Sequence, residues 1–395
     1  MGSDSMLMSI FDNTEIAFKS KSNADLSRSY WLFSLVKRPS WVRLGKFVTE
    51  AAFALRLPIE GLVKQTIFRQ FCGGTAITDC AAAVNALGQF GIGAILDYSV
   101  EGKESEEEFE NTCNETLQTI AFASGNPHIP FSVFKVTGVS RFALLEKISG
   151  GDAPNTDEAA EWKRVEQRVE RICCMAYEKK VPVFIDAEES WIQPAIDMLA
   201  ANMMKQFNRD RAWVYNTYQL YRHDRLAFLQ QQHREAIEGG FHLGAKLVRG
   251  AYMEKERHRS ARMGYASPIQ KDKDSSDRDY DLAMEYCLQH LQNIWFVAGT
   301  HNEQSCLKLV EAMKAKGIAP QDEKVFFSQL YGMSDHISYN LSALGYRVAK
   351  YLPYGPVKEV LPYLIRRAQE NTSVKGQTGR ELGLIIREKK RRRMA

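Results

Sequence analysis

The sequence predicts an α/β chain built as a (β/α)8 barrel with an N-terminal α-helical extension. Two observations carry this. From about Phe90 onward, β-rich segments alternate with helical patterns through eight units, which is the number a closed barrel of parallel strands requires. The C-terminal ends of these strands are loaded with polar groups: Lys135, Asp186 with Glu188, Asn216 with Gln219, Arg249 with Tyr252, Thr300-His301-Asn302, and Tyr351. A barrel gathers such ends at one rim, where its loops assemble a site. An open doubly wound sheet is the competing architecture for the alternation alone.

The elements follow in order. Residues 7–88 show no strand rhythm and read as helices over 25–35, 41–57 and 59–71, closing at Gly73-Gly74, with a further helical stretch over 77–90. Strands are expected over 94–101, 131–138, 181–188, 213–219, 242–252, 295–302, 324–330 and 347–354. Helices are expected over 106–123, 158–179, 191–207, 224–238, 279–292, 303–316, 334–344 and 357–371. The last stretch is amphipathic, then basic through Arg387 and Lys389 to Arg393. Such a run is either a solvated tail or a contact for an anionic membrane surface. The expected division is therefore a helical extension over 1–88, a barrel over 89–375 and a basic tail over 376–395.

Composition narrows the function classes. The 395 residues are 45% hydrophobic and 25% charged, with a net charge of +4, too small to argue for nucleic acid. The seven cysteines (Cys72, Cys80, Cys113, Cys173, Cys174, Cys287, Cys306) are scattered, odd in number and contain no C-x-x-C pair. That pattern favours free thiols over a disulfide framework or a zinc site. No apolar run approaches the roughly 20 residues needed to span a bilayer. Asp4, Asp12 and Glu15, with no apolar core, give no secretory or mitochondrial address. The expected location is the bacterial cytoplasm, with a peripheral place on the inner membrane as the alternative that the basic run leaves open.

The chemistry-bearing residues sit at the strand ends. Arg366 and Arg367, on an amphipathic helix after the Tyr351-Leu-Pro-Tyr-Gly-Pro turn, suit a small carboxylate, because a guanidinium fork donates parallel hydrogen bonds. Lys246 to Tyr252 places cations at a strand end, followed by a Gly250-Ala251 step through which a flat ligand can approach the backbone. Thr300-His301-Asn302 precedes a helix, where side chains and backbone N–H groups suit a phosphate or a ring edge. Asp186 and Glu188 fall two apart on one strand face, but no histidine stands at ligand spacing, so no metal is expected. Neither a G-x-G-x-x-G turn after a strand nor a G-x-x-x-x-G-K-[ST] loop is present. Any dinucleotide cofactor must then be held by something other than a Rossmann unit.

These segments together resemble the proline dehydrogenases, flavin enzymes on a distorted (β/α)8 TIM barrel. The likeness rests on seven ordered pieces between Phe71 and Ser373: Phe71-Cys72-Gly73-Gly74, Lys135, Asp186-Ala187-Glu188-Glu189, Arg249-Gly250-Ala251-Tyr252, Thr300-His301-Asn302, Leu330-Tyr331-Gly332-Met333, and Tyr351 through Asn371. The resemblance implies FAD-dependent oxidation of L-proline to Δ1-pyrroline-5-carboxylate by hydride transfer to flavin N5, in a monofunctional enzyme. It implies a membrane quinone as electron acceptor and a separate pyrroline-5-carboxylate dehydrogenase downstream. Lys135, Arg366 and Arg367 match the family's carboxylate-binding cations, and Asp186 their acidic partner. Tyr252, Leu330, Tyr351 and Ala251 match the walls of the pyrrolidine site. Asn216, Lys246, Val248, Arg249, Gly250, Ala251, Lys273, Thr300, His301, Asn302, Glu370 and Ser373 match flavin contacts.

Two departures stand out. Lys246 replaces an arginine that many bacterial members carry, keeping the charge but losing the planar fork. Asn216 stands where some members have glutamine, with a shorter reach. The Tyr351 ring is expected to crowd position 4 of the substrate ring and so to favour proline over 4-hydroxyproline. A Schiff-base lyase or aldolase barrel using Lys135, with Asp186 as acid–base, is the alternative reading.

Overall fold

The computed structural model describes residues 10–36, 59–99, 102–373 and 377–394. Eight strands follow one another round a closed barrel: β1 Ile92–Tyr98, β2 Phe131–Lys135, β3 Val183–Asp186, β4 Val214–Gln219, β5 Leu243–Val248, β6 Ile294–Gly299, β7 Val325–Leu330 and β8 Val348–Tyr354. This is the fold class expected from the sequence. The strands are short runs buried on both faces, as parallel strands covered by helices must be. Two compact units partition the chain, residues 102–328 and residues 1–101 with 329–395.

Within 102–328, four aromatic rings fill the barrel interior near the N-terminal ends of their strands. Phe131 stacks on Phe184 at 4.5 Å and meets Tyr215 and Phe326 edge-on at 5.7 and 4.8 Å. This plug leaves the C-terminal strand ends as the place for polar side chains. The surrounding helices begin at well-formed caps. Ser105 with Glu108 opens Glu106–Ala123, and Asn155 with Glu158 opens Thr156–Lys179, each pair exchanging hydrogen bonds as a capping box.

The expected strand bounds overrun at several polar ends. β2 stops at Lys135 and passes into a tight turn, Val136–Gly138, while β3 stops at Asp186 and β5 at Val248. Two helices, Phe142–Gly150 and Met253–Met263, fall outside the expected set. The second gives no apolar period because its buried residues are Glu256 and Ser260. It is held by polar ties: Glu256 accepts hydrogen bonds from the Ser190 N–H and hydroxyl, both at 2.6 Å, and Lys255 pairs with Glu189.

In the other unit, the helix Asn23–Val36 packs on the C-terminal helix Gln377–Met394 through Leu26, Phe33, Leu384 and Ile385. The helix expected over 41–57 lies outside the described residues. Residues 60–71 are helical with a π-helical stretch, Lys64–Phe68, and Gly73 and Gly74 then pair alongside the end of β8. The C-terminal basic run is a helix face that meets partners within this unit. Arg380 and Arg387 both reach Asp12, Arg392 donates to the Phe18 and Lys21 carbonyls and to Glu388, and Lys389 donates to Ser27. The run that the sequence left as a solvated tail or a membrane contact thus has partners within this unit along part of its length, while Lys390, Arg391 and Arg393 are exposed.

All seven cysteines are free thiols. Among the described residues, no helix is long and apolar enough to cross a membrane, and no group of side chains is arranged to hold a metal ion.

Candidate active site

β2 and β3 run in register so that Lys135 lies opposite Asp186 at their C-terminal ends. The Lys135 ammonium stands 3.7 Å from Asp186 Oδ2. From β5, Lys246 donates to Asp186 Oδ1, with its ammonium 5.4 Å over the Phe184 ring. One buried carboxylate is thus bracketed by ammoniums from two strands that are not neighbours in the sheet. A buried ion set of this kind is costly unless its geometry is well satisfied, and it builds a positively biased floor at the strand ends.

Glu188 lies beyond the end of β3 rather than on one strand face with Asp186. Its carboxylate accepts hydrogen bonds from the Thr137 N–H at 3.0 Å and hydroxyl at 2.5 Å, and its own N–H donates to Gln193. Burial, reinforced by the neighbouring Glu189, pushes Glu188 up to about 7 against the opposing pull of Thr137 and Lys135. A carboxyl titrating near neutrality thus straps β3 to the turn that follows Lys135.

Asn216 is placed differently from its sequence assignment. Its amide nitrogen donates to Asp197 at 2.9 Å and Gln232 at 3.3 Å, on the helices Gln193–Phe207 and Arg225–Gly239. Its carbonyl accepts the Thr217 N–H. Asn216 therefore faces the helices, not the barrel interior. Tyr215 and Thr217 occupy the other face, and the period-2 alternation of a strand puts Gln219 there as well. Gln219 is 2% exposed, and its Oε1 has no hydrogen-bond partner among the described residues. Sequence reasoning missed it as a contact residue, although counting alternate positions from Tyr215 singles it out.

Beyond β5, the Arg249 fork is fully directed: Nε to Asp277 at 2.6 Å, Nη1 to Thr300 Oγ1 at 2.8 Å and Nη2 to Ser305 at 3.0 Å, over the Tyr280 ring. Lys273 pairs with Asp277 from the first turn of its helix. Asn302 caps the helix Glu303–Ala315, its Oδ1 accepting the Gln304 and Ser305 N–H groups. Thr300 is buried beside half-buried His301, so the structure brings Arg249, Lys273, Thr300, His301 and Asn302 into one cluster around the β5 and β6 ends. Gly250 has φ +136, and a Cβ there would come within 2.4 Å of the Tyr221 ring. The bare backbone read as a ligand approach is thus occupied by a side chain of the protein itself. Val248 ends β5 half-buried, Ala251 is exposed, and half-buried Tyr252 caps the helix Met253–Met263.

In the other unit, Tyr351 is buried on β8 and its carbonyl accepts the Tyr331 N–H at 2.8 Å. Leu330 ends β7 half-buried. The helix Val357–Ser373 carries half-buried Arg366 and buried Arg367, whose guanidinium lies 5.1 Å over the Tyr363 ring. Glu370 and Ser373 lie in this helix, with side chains outside the described residues.

A family model described as proline dehydrogenase matches residues 80–380. The chain is 34% identical to the carbapenem antibiotics biosynthesis protein CarD of Pectobacterium carotovorum, over 82% of this chain and 83% of that one. It is 32% identical to a hydroxyproline dehydrogenase of Xenopus laevis, over 95% of this chain and 88% of that protein. Among solved structures, proline utilization A from Bdellovibrio bacteriovorus superposes with a TM-score of 0.71 at 19% identity, covering 94% of this chain. The chain spans 37% of that longer protein, and the likeness concerns the fold. With the family model matching most of its length, and with its barrel carrying polar residues at the strand ends, this chain belongs to the proline dehydrogenase family of enzymes.

Proposed function

We propose that this enzyme oxidises L-proline to Δ1-pyrroline-5-carboxylate with FAD as cofactor and passes the electrons to a membrane quinone. The observation that carries the reading is the Lys135–Asp186–Lys246 set at the barrel's strand ends, in a chain whose family is known. In the reaction the ring C–N single bond becomes C=N: a hydride leaves carbon and the nitrogen gives up its proton. A planar acceptor and a bound carboxylate are both needed, so cations close to the barrel interior have two tasks.

The residues present fit a flavin. The buried Gln219 Oε1 lacks a partner among the described residues and faces the interior of β4 beside Val248 of β5. An acceptor so placed suits an N–H on the edge of a heteroaromatic ring. Lys246 supplies a fixed positive charge, and Arg249, Lys273, Thr300, His301 and Asn302 form a polar cluster suited to the remainder of a dinucleotide, with Val248 and Ala251 along the backbone. Gln219 takes the role that the sequence reading gave to Asn216. FAD supplies a two-electron acceptor there; the protein supplies position and charge.

Lys135 in one unit, and Arg366 and Arg367 in the other, are the cations proposed for the substrate carboxylate, and Asp186 fixes Lys135 and balances its charge. Ala251 and Tyr252 of one unit, and Leu330 and Tyr351 of the other, are the residues proposed as ring walls, whose task is to exclude water and limit orientations, which lowers the entropic part of the barrier. The product is a cyclic imine in equilibrium with an aldehyde, which suits a separate aldehyde-oxidising enzyme as the next step.

The test is an anaerobic titration of purified protein with L-proline, following flavin absorbance. A yellow protein bleached by L-proline supports the reading. A colourless protein that takes up no added FAD contradicts it. Borohydride trapping of a substrate carbonyl onto Lys135 would instead favour the lyase alternative.

A further inference from the structure

β8 carries Lys350 next to Tyr351, and adjacent strand residues point to opposite faces. Lys350 is fully buried, and its ammonium donates to the carbonyls of Leu330 at 3.4 Å and Met333 at 2.7 Å and pairs with Asp335 at 2.6 Å. These contacts belong to the loop from Leu330 to Ser334 that joins β7 to the helix Asp335–Ala343. Leu330 and Tyr351 are the residues proposed above as walls of the substrate ring.

The rest of the loop is held by groups from several directions. The Tyr331 N–H donates to the Tyr351 carbonyl. The Gly332 carbonyl accepts from Gln70 Nε2 at 2.9 Å, and Gln70 is itself fixed by Ser29 at 3.1 Å. Gly332 has φ +76, and a Cβ there would meet the Gln70 carbonyl at 2.0 Å, so the loop is packed down to its backbone. The Ser334 N–H donates to Glu381 at 3.1 Å, and Asp335 takes a second cation, Lys21, at 3.0 Å. Ser334 has φ +50, a left-handed conformation unfavourable for a residue with a side chain. Such a conformation persists only where the surroundings over-determine it. Lys21, Gln70 and Glu381 all lie outside residues 80–380, the stretch matched by the family model.

We propose that Lys350 is a positioning residue for substrate recognition, acting through the Leu330–Ser334 loop, and that Gln70 and Glu381 complete a brace that sets the ring size the site accepts. This rests on the reading of Leu330 and Tyr351 as ring walls. The helices outside the barrel then have a task in specificity: they hold the far side of a loop whose near side touches the saturated ring of a cyclic amino acid. A loosened loop admits a larger ring and binds the smaller one less well, while leaving the hydride transfer of correctly bound substrate little changed.

The experiment compares kcat and KM for L-proline and for L-pipecolate, its six-membered-ring homologue, using full-length FAD-loaded protein. The variants are Lys350→Met, Gln70→Leu and Glu381→Leu, with Leu330→Ala as the wall control and circular dichroism and flavin content confirming the fold. Lys350→Met leaves buried Asp335 with Lys21 alone, so if it does not fold, Gln70→Leu and Glu381→Leu decide. The brace variants are expected to raise KM for L-proline about tenfold with kcat within about twofold. They are also expected to shift the pipecolate-to-proline ratio of kcat/KM about tenfold toward the larger ring. If Leu330→Ala shifts that ratio and folded brace variants leave it unchanged, the brace is overturned while the wall reading stands. If Leu330→Ala itself leaves the ratio unchanged, the wall reading fails and the brace with it.

Discussion

Lys135 and Lys246 approach opposite oxygens of one carboxylate, that of Asp186, from strands β2 and β5. Two cations fixed on one anion form a node, because moving either removes one of the pairings that offset the burial of the carboxylate. In the proposed reading, Lys135 faces the substrate carboxylate and Lys246 the flavin, so substrate and cofactor are registered against each other through Asp186. Replacing Asp186 with asparagine would then disturb both.

The first prediction concerns pH. Glu188 is buried and raised to about 7 from an ordinary 4.5, and Glu381, likewise buried, is also raised to about 7. Between those values the folded protein keeps a proton on each group that the unfolded chain has lost. Their contribution to stability is therefore complete below about pH 4.5 and is lost as pH rises through about 7, at roughly 3 kcal/mol for each group. Thermal unfolding should show the wild-type Tm declining from pH 5 to pH 8.5, with about half of that slope removed in Glu188→Gln and most of it in the double variant with Glu381→Gln. An unchanged slope in the double variant would mean that neither group titrates in this range.

The second prediction separates Gln219 from Asn216. Gln219→Leu should weaken FAD binding about tenfold or more with little change in the stability of the apoprotein, measured by flavin fluorescence and chemical unfolding. Asn216→Leu removes a donor from Asp197 and Gln232 in a buried network and should cost roughly 1–3 kcal/mol of stability, while FAD affinity changes less than threefold. Equal loss of FAD affinity in both variants would contradict this assignment of faces.

The third prediction concerns ring substituents. With Tyr351 intact, kcat/KM for L-proline should exceed that for trans-4-hydroxy-L-proline at least tenfold, and Tyr351→Ala should narrow the gap. The relative named as a hydroxyproline dehydrogenase makes the opposite preference a concrete alternative. Steady-state assays with both substrates decide between them.

Much of the fold was legible because strand and helix periods differ and the apolar runs are short. Lys135, Asp186, Arg249 and Thr300 were legible as site candidates because each stands at the polar end of such a run. Asn216 was misplaced because proximity to a strand end says nothing about which face a residue occupies; that depends on counting alternate positions from Tyr215 to Gln219. The helix Met253–Met263 was hidden because Glu256 and Ser260 form its buried side, so its contacts leave no apolar pattern. The Lys350 brace was hidden for a related reason: its acceptors at Leu330 and Met333 are backbone carbonyls, which every residue possesses. The basic run near the C-terminus looked free because its acidic partners, Asp12 and Glu15, lie at the opposite end of the chain.

The most direct measurement of the central claim compares L-proline with L-prolinamide, which lacks the carboxylate charge, in wild type and in Lys135→Met. Flavin reduction under anaerobic conditions gives the kcat/KM-like rate constant for each pair. Wild type should favour L-proline by about a hundredfold or more, and Lys135→Met should retain its flavin yet lose at least a tenfold share of that preference. If the variant keeps its flavin and the full wild-type preference, the cation at the end of β2 does not hold the substrate carboxylate.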